Sequence, residues 1–422
     1  MALRSLAALA VVAAVAGAAP SPAEPAKSPT RYVRGDAGFA AAVATFRRSG
    51  GRIVLLPASY RRLVVGPRSW RPLRIVGTRG ARVGGVRFDG TQRVSLGGVA
   101  ITPVSGDAEV GIWRSRHIEL HDLRVTAHRT RHSASILVAA GSHVTIRRSD
   151  FSHCGDHDPE FVNCVTLYRW AHHVVIEDNR FHDCFGCDFV NGRFGTDLTI
   201  RGNRFDRALP CHMGAYRCRH NDLVQLFGGW RLLVARNRFG VYREGGAQLY
   251  LTNAVDHATI VNNVFLGTDP KVPGYRARMG IVVGSRRTQR MPLYARILNN
   301  TILTGERRRD GYAGSIRMST RYGAVRRAQR PLVANNVIGL LETPGRVCGF
   351  AQRFVANLVV RGHGCSPEDI VGPVDLDRLG RPTAESIVID LASPRYAPRR
   401  DAAGRARDVQ PDVGAYEFRF TR

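Results

Sequence analysis

Lysine is nearly missing from this chain. Of its 62 basic residues only Lys27 and Lys271 are lysine; the rest are arginine. A codon-biased genome produces that imbalance, so the choice of arginine carries no functional argument by itself. Acidic residues are scarce as well: 34 against 62 basic ones leave a formal net charge of +28. That excess predicts attraction to polyanions such as acidic polysaccharide, teichoic-type polymers, anionic lipid or nucleic acid. No long apolar run follows residue 19, which excludes a membrane-spanning helix from the rest of the sequence. The 44% hydrophobic content of the 422 residues is too high for a disordered chain and suffices for one large domain or two ordinary ones.

Residues 1–19 carry one early charge, Arg4, an apolar run from Leu6 to Val15, and then Ala16-Gly17-Ala18-Ala19. This is the pattern of a secretory signal peptide cleaved near Ala18 or Ala19, and its apolar run is too short to span a bilayer. A Pro/Ala/Ser-rich linker, residues 20–34, follows. The expected location is therefore secreted or extracytoplasmic. There disulfides are permitted, nucleic acid is not an expected partner, and a monomer without membrane insertion is expected.

One pattern recurs along the chain: apolar-x-apolar, two residues, Asn or a substitute, one residue, then Phe or another apolar residue. It appears around Ser149, Asn179, Asn203, Asn237, Asn263, Asn300 and Asn336, with weaker copies at Val99 and Leu123. The steps between these positions are 24, 26, 30, 24, 34, 26, 37 and 36 residues. The floor near 24 reads as one turn of a solenoid, and longer steps read as loops inserted into single coils. Two or three short alternating strands per turn cannot bury an apolar face alone, but stacked coil on coil they enclose a continuous core. The repeated Asn suits a bend whose side-chain amide bonds the next coil, a structural role. The regular leucines and helical segments of a leucine-rich repeat are missing.

On these repeats the sequence resembles the pectate-lyase-like superfamily of right-handed parallel β-helices, over residues 31–418. The expected fold is all-β: a cap and first strands at 35–70, coils at 71–365, and a C-terminal segment at 366–422 packing on the end of the solenoid. The amphipathic stretch from Asp36 to Phe46 is expected to be the capping helix. The ending from Pro411 to Phe418 resembles the PDIGAYE ending of predicted exported β-helix proteins.

Aligning coils on the Asn position places Asp188 over Asp222, and Asn191 over Gln225, in neighbouring coils. Gln248 and Tyr250 lie beside the same positions one coil further. Two carboxylates ~4.8 Å apart do not ionise together without a cation, an arginine or a shared proton, which makes Asp188 and Asp222 candidate catalytic groups and candidate Ca²⁺ ligands. The segments leading into these coils concentrate Asp156, His157, Asp158, Glu160, His182, Asp183, His212 and His220. The resemblance implies a carbohydrate-active protein acting on a polysaccharide, acidic by the charge argument, through β-elimination or hydrolysis. In lyases of the superfamily a uronate carboxylate is neutralised by Ca²⁺ or arginine before a base takes the neighbouring proton. Here Asp188, Asp222, His220 and Arg193 are the expected catalytic set, with Asn191, Gln225, Gln248, Tyr250 and Arg219 binding substrate. The alternative is a non-catalytic solenoid that binds anionic glycan or envelope polymer.

The eight cysteines read as disulfides. Cys154 and Cys184 occupy equivalent places, as nearly do Cys164 and Cys187, so Cys154–Cys184 with Cys164–Cys187 is the expected pairing. Its rival is Cys154–Cys164 with Cys184–Cys187, the latter closing a small ring. Cys211–Cys218 and Cys348–Cys365 would each close a local loop. A zinc site on Cys184 and Cys187 with nearby histidine is the remaining reading of that pair.

Overall fold

A computed structural model describes residues 28–419 apart from 69, 103–109, 127–134, 155–162, 210–221, 242–245, 268–278, 285–291, 305–313, 319–324, 342–346 and 350. The chain winds into a right-handed parallel β-helix with three faces. A 20-stranded sheet forms the first and second faces and a 13-stranded sheet forms the third. Strands such as Val165–Glu177, Val224–Ala235 and Leu249–Val261 turn the corner between the first two faces without a break. Every strand-to-strand pairing within these two sheets is parallel, with each coil seated on the one before it, as in Asn191↔Gln225↔Tyr250 on the first face. Among the described residues no helix is long and apolar enough to cross a membrane.

The core follows from the alternation within each short strand. The inward Phe of the repeat stacks in a continuous column, Phe151–Phe181–Phe205–Phe239–Phe265, with ring centroids 4.8, 5.1, 5.0 and 4.4 Å apart. Each of these rings is fully buried, worth ~1.5–3 kcal/mol apiece from area removed from water. A stacked aromatic pair adds ~0.5–1.5 kcal/mol.

Between the second and third faces each coil bends through a residue of positive φ, such as Asp178 (54°), Arg236 (55°) and Asn299 (47°). From Asn179 onward the residue after each bend is the repeated Asn, and its side chain points inward; earlier coils carry Val99, Leu123 and Ser149 there. Asn203 shows the pattern. Its Oδ1 accepts the N–H of Asn179 (3.0 Å), and its Nδ2 donates to Ile176 O (2.8 Å) and to Asn237 Oδ1 (3.1 Å). The ladder runs on through Asn263, Asn300, Asn336 and Asn357, and closes on Asp369, whose Oδ1 accepts Asn357 Nδ2 (2.9 Å). The amides thus satisfy buried main-chain groups that would otherwise cost ~1–3 kcal/mol each.

The capping helix, α1 (Gly35–Ser49), buries Phe39, Ala42 and Phe46 on one face against the first coil. Ahead of it the strand Thr30–Val33 pairs with Gly51–Leu55. At the far end the C-terminal segment lies along the flank of the last coils: Asn262 Nδ2 donates to Arg400 O (2.7 Å) and Asn335 Nδ2 to Ser393 O (3.0 Å). Its buried ion pair, Arg407 with Glu417 (2.7 Å), is 2% exposed on both sides.

Candidate functional site

The structure brings Asp188 and Asp222 together, as the coil alignment predicts, but places both inside. They are 2% and 1% exposed. The N–H of Asp188 donates to Asn163 Oδ1 (3.2 Å), that of Asp222 to Asp188 Oδ1 (2.9 Å), and that of Ala247 to Asp222 Oδ1. This repeats the hydrogen-bond pattern of the Asn ladder at the entrance to the first face. Each carboxylate is committed to the main chain of the next coil. A Ca²⁺ ion takes six to eight oxygen ligands, and two carboxylates turned inward onto backbone N–H groups do not fit it.

Gln248, expected at the substrate surface, is fully buried. Its Nε2 donates to main-chain carbonyls of Gly240 (2.5 Å) and Leu266 (2.9 Å), so it braces two coils and cannot reach a polymer outside. His220, Arg219, Cys211 and Cys218 lie outside the described residues, as do Asp156, His157, Asp158, Glu160 and His212.

Asn191, Gln225 and Tyr250 do form one outward row on the first face, in register on three successive coils. Asn191 Nδ2 donates to Gln225 Oε1 (2.9 Å) and to Asp188 Oδ2, so the buried carboxylate fixes the amide that faces out. Arg193, two residues along the same strand, stands at the end of the row. Its Nε donates to Phe227 O (3.1 Å), and its guanidinium lies 5.5 Å from the centre of the Trp170 ring. Trp170 and Tyr168 beside it are 58% and 50% exposed. The arrangement offers a fixed guanidinium, two amides and a phenol beside aromatic surface. Sequence reasoning missed Tyr168, which ends the first-face part of its strand in register with Ala139 and Trp113, and Trp170, which lies in the turn.

The carboxylates on the outside of the coils are largely held by arginine. Asp197 accepts two hydrogen bonds from Arg231 (2.6 and 2.6 Å), and Arg148 grips Asp122 likewise (2.9 and 2.8 Å). These contacts hold both carboxyls down at about 2. Arg201 pairs with Glu177 (2.5 Å) and Arg207 with Asp183 (2.6 Å).

The cysteines correct the expected pairing. Cys154 bonds to Cys164, and Cys184 and Cys187 are free and buried. The equivalence of Cys154 and Cys184 along the coils is real, but Cys164 stands close enough to Cys154 to take the bond, with Cα atoms 5.3 Å apart. Cys184 Sγ lies 3.1 Å from Cys164 Sγ, and burial pushes the Cys187 thiol up. Among the described residues no histidine joins these sulfurs, and of the close trio Cys154, Cys164 and Cys184 the disulfide has already consumed two. Cys348–Cys365 forms as expected.

Comparison with known proteins bears on the fold. No curated protein matches the chain. The structure of XylC with xylose superposes with a TM-score of 0.55 at 9% identity, covering 92% of this chain and 98% of that one. A variant of the PL6 family alginate lyase AlyGC gives 0.52 at 13% identity, over 88% of this chain and 59% of that one. An alginate lyase from Paenibacillus sp. str. FPU-7 gives 0.47 at 12% identity, over 69% of this chain and 98% of that one. The family model described as the right handed beta helix region matches residues 79–302. With more than half of its length matched, and with coils, corners and amide ladder as described, the chain belongs to the right-handed β-helix family.

Proposed function

We propose that this protein binds an anionic polysaccharide across the first face of its central coils and cleaves it by β-elimination. The observation that carries the reading is the half-buried, outward-facing row Asn191–Gln225–Tyr250 with Arg193 at its end, next to carboxylates that are buried and committed to the main chain. Glycoside hydrolysis needs two carboxyl groups flanking the scissile bond. At the entrances to the first-face strands of these coils the described acids are Asp188 and Asp222, and both face inward. Elimination asks for something else: a cation on the uronate carboxylate and a group that takes the neighbouring proton.

In this reading Arg193 pairs with the carboxylate and acidifies the proton on the carbon beside it. Tyr250, as phenolate, accepts that proton. The electron pair left behind forms a carbon–carbon double bond, the glycosidic C–O bond breaks, and the departing oxygen takes a proton from the regenerated phenol or from water. Asn191 and Gln225 orient the sugar, and Asp188 holds Asn191 in place.

The test is absorbance at 232 nm on incubation with alginate, pectate and other uronic-acid polymers, with reducing ends followed in parallel. Arg193→Ala and Tyr250→Phe should each lower the initial rate by ~10²–10³-fold, the usual loss for a charge-stabilising or proton-transfer group. Reducing ends without absorbance would sink elimination in favour of hydrolysis.

A second reading rests on a different observation. The arginine pairing of Glu177, Asp183, Asp197 and Asp122 leaves a diffuse basic exterior, which is what a non-catalytic glycan binder would show. Silence in both assays with salt-sensitive binding retained would select it.

A further inference from the structure

We propose that the corner between the first and second faces is a second binding element: a track that holds a long anionic glycan lengthwise, along the solenoid axis. The inference rests on the polysaccharide reading above and extends it from a cleavage site to the polymer on either side.

The chain has four tryptophans, and all four lie on this one corner. Trp70, Trp170 and Trp230 are 52%, 58% and 43% exposed. Trp113 ends the first-face strand Val110–Trp113, at the entrance to the same corner. Soluble proteins do not usually leave several of their largest apolar side chains in water along a single line; here the tryptophans stand about two coils apart, with other rings between them.

The rest of the corner has the matching chemistry. The rings of His117, His143 and His173 follow one another at 4.6 and 4.6 Å. Further along, Trp230, His257 and Tyr294 do the same at 4.2 and 4.6 Å. Guanidinium groups sit on the aromatic rings: Arg116 lies 4.3 Å from the centre of Trp70, and Arg193 lies 5.5 Å from that of Trp170. A cavity of about 230 Å³ opens between Trp113, Arg87, Arg114 and Arg169. From the coil of Trp70 to that of Tyr294 there are eight steps of ~4.8 Å, giving a line about 38 Å long.

Pyranose rings present flat C–H faces that pack on aromatic rings, and uronate carboxylates pair with guanidinium groups. Aromatic and cationic groups set along a straight edge, where Asp197 is neutralised by Arg231, therefore fit a linear chain with an apolar face and repeated negative charge. A small neutral ligand would use one such position, whereas a polymer uses many at once and gains through multivalency.

Because every tryptophan lies on the track, intrinsic tryptophan emission reports this corner, Trp170 also marking its junction with the cleavage site at Arg193. The full-length protein is titrated with long-chain alginate and, at equal sugar concentration, with alginate trimer. The long chain should shift the emission saturably and further than the trimer, which reaches Trp170 alone. Trp70→Ala/Trp230→Ala should weaken long-chain binding about tenfold or more while leaving elimination of the trimer, followed at 232 nm, as in the wild type. Arg93, whose guanidinium lies 5.2 Å from the centre of the Trp70 ring, gives a second variant, Arg93→Ala, that removes charge without removing a ring and should also weaken long-chain binding; circular dichroism confirms that each variant is folded.

Binding of the long chain, measured by co-sedimentation, with no change in emission would overturn the track. So would equal affinity in the double variant. If single-stranded DNA of similar charge binds as tightly with the same emission shift, the surface is a nucleic-acid or general polyanion site and the glycan assignment falls. Loss of the 232 nm signal alone, with emission titration intact, would remove the elimination reading and leave the track standing.

Discussion

At the first corner and at the second, each coil turns on a residue with φ near +50°: His117, His143 and His173 at one, Asp122, Arg148 and Asp178 at the other. Such a backbone costs a non-glycine residue ~1–2 kcal/mol, so both corners must be held by something. The second corner is held from inside by a side chain, from Asn179 onward the repeated Asn, whose amide bonds two coils, with Ser149 Oγ accepting the Leu123 N–H in an earlier coil. The first corner is held mainly by the main chain, with isolated side-chain bonds such as Thr91 N–H to Ser115 Oγ (3.1 Å) and Leu293 N–H to Asp256 Oδ1 (2.8 Å). Arg116 N–H donates to Thr91 O, Ser142 N–H to Ser115 O and His172 N–H to Gly141 O, each at 3.0 Å. Where a side chain makes the coil-to-coil bond, the sequence repeats one residue. Where the backbone makes it, outward positions are free to vary, and they hold Arg, His, Asp, Trp and Tyr. The comparison teaches that chemistry on this solenoid is to be sought where the repeat is least faithful.

The largest effect expected from breaking that contrast is at the inner ladder. Asn237→Ala removes the acceptor for Asn203 N–H and the donor to Ile200 O and Asn263 Oδ1. Denaturant unfolding should show a loss of ~2–4 kcal/mol, from stranded buried partners at ~1–3 kcal/mol each. His143→Ala at the first corner should stay within ~0.5 kcal/mol, as exposed substitutions do. Equal losses at the two positions would abolish the distinction.

Next comes the third corner, where Asp188 copies the ladder. Asp188→Asn keeps an acceptor for the Asp222 N–H and should cost less than Asp188→Ala, for which ~1–3 kcal/mol is expected. If Asp188→Asn instead destroys elimination activity in a protein of normal stability, the carboxylate acts in chemistry rather than in bracing.

Acid should then act in two steps, first on the histidines of the first corner and then on the arginine-held carboxylates of both corners. His117 and His172 are pushed down by burial first and by neighbouring histidines second, with Arg93 and Arg116 adding to the effect at His117. A histidine with a depressed folded-state value binds fewer protons than the unfolded chain. Its contribution is whole above the ordinary value of about 6.5 and declines as pH falls below it. Asp122 and Asp197, held at about 2 by arginine, contribute above the ordinary carboxylate value and lose that contribution as pH falls from about 4 through 2. A unfolding midpoint followed against pH should therefore dip first below 6.5 and again below 4. The second dip should shrink in Asp122→Asn/Asp197→Asn. The smallest effect is that of salt, which should flatten the second step because these pairs are partly exposed.

Much of the fold was legible because one geometric role recurs with one residue. Asn179, Asn203 and Asn237 sit at the same bend, so the repeat, the coil length and the stacking of Asp188 on Asp222 can be read by counting. Counting does not say which way a side chain points. Asp188, Asp222 and Gln248 lie at corners and strand entrances, where a small change in backbone direction turns a group from outside to inside. The pairing of Cys154 with Cys184 failed for a related reason: equal positions in adjacent coils are near one another, but Cys154 and Cys164 are nearer still. The aromatic corner did leave a trace. Arg93, His117, His143, His173, Asp197, Arg231, His257 and Tyr294 each precede the ladder position by six residues. Their variety of residue type conceals a regularity of place.

The helix α1 has a consequence for how these molecules coexist at high concentration. A stack of parallel coils has no natural end: its last strand offers an unpaired row of N–H and C=O groups on which the first coil of another molecule can continue. By seating Phe39, Ala42 and Phe46 on the first coil, α1 covers the apolar interior at this end with a polar helical surface carrying Arg47 and Arg48, and leaves only the short strand Thr30–Val33 as an edge. It acts as a chain terminator in the polymer chemist's sense, limiting growth at one end.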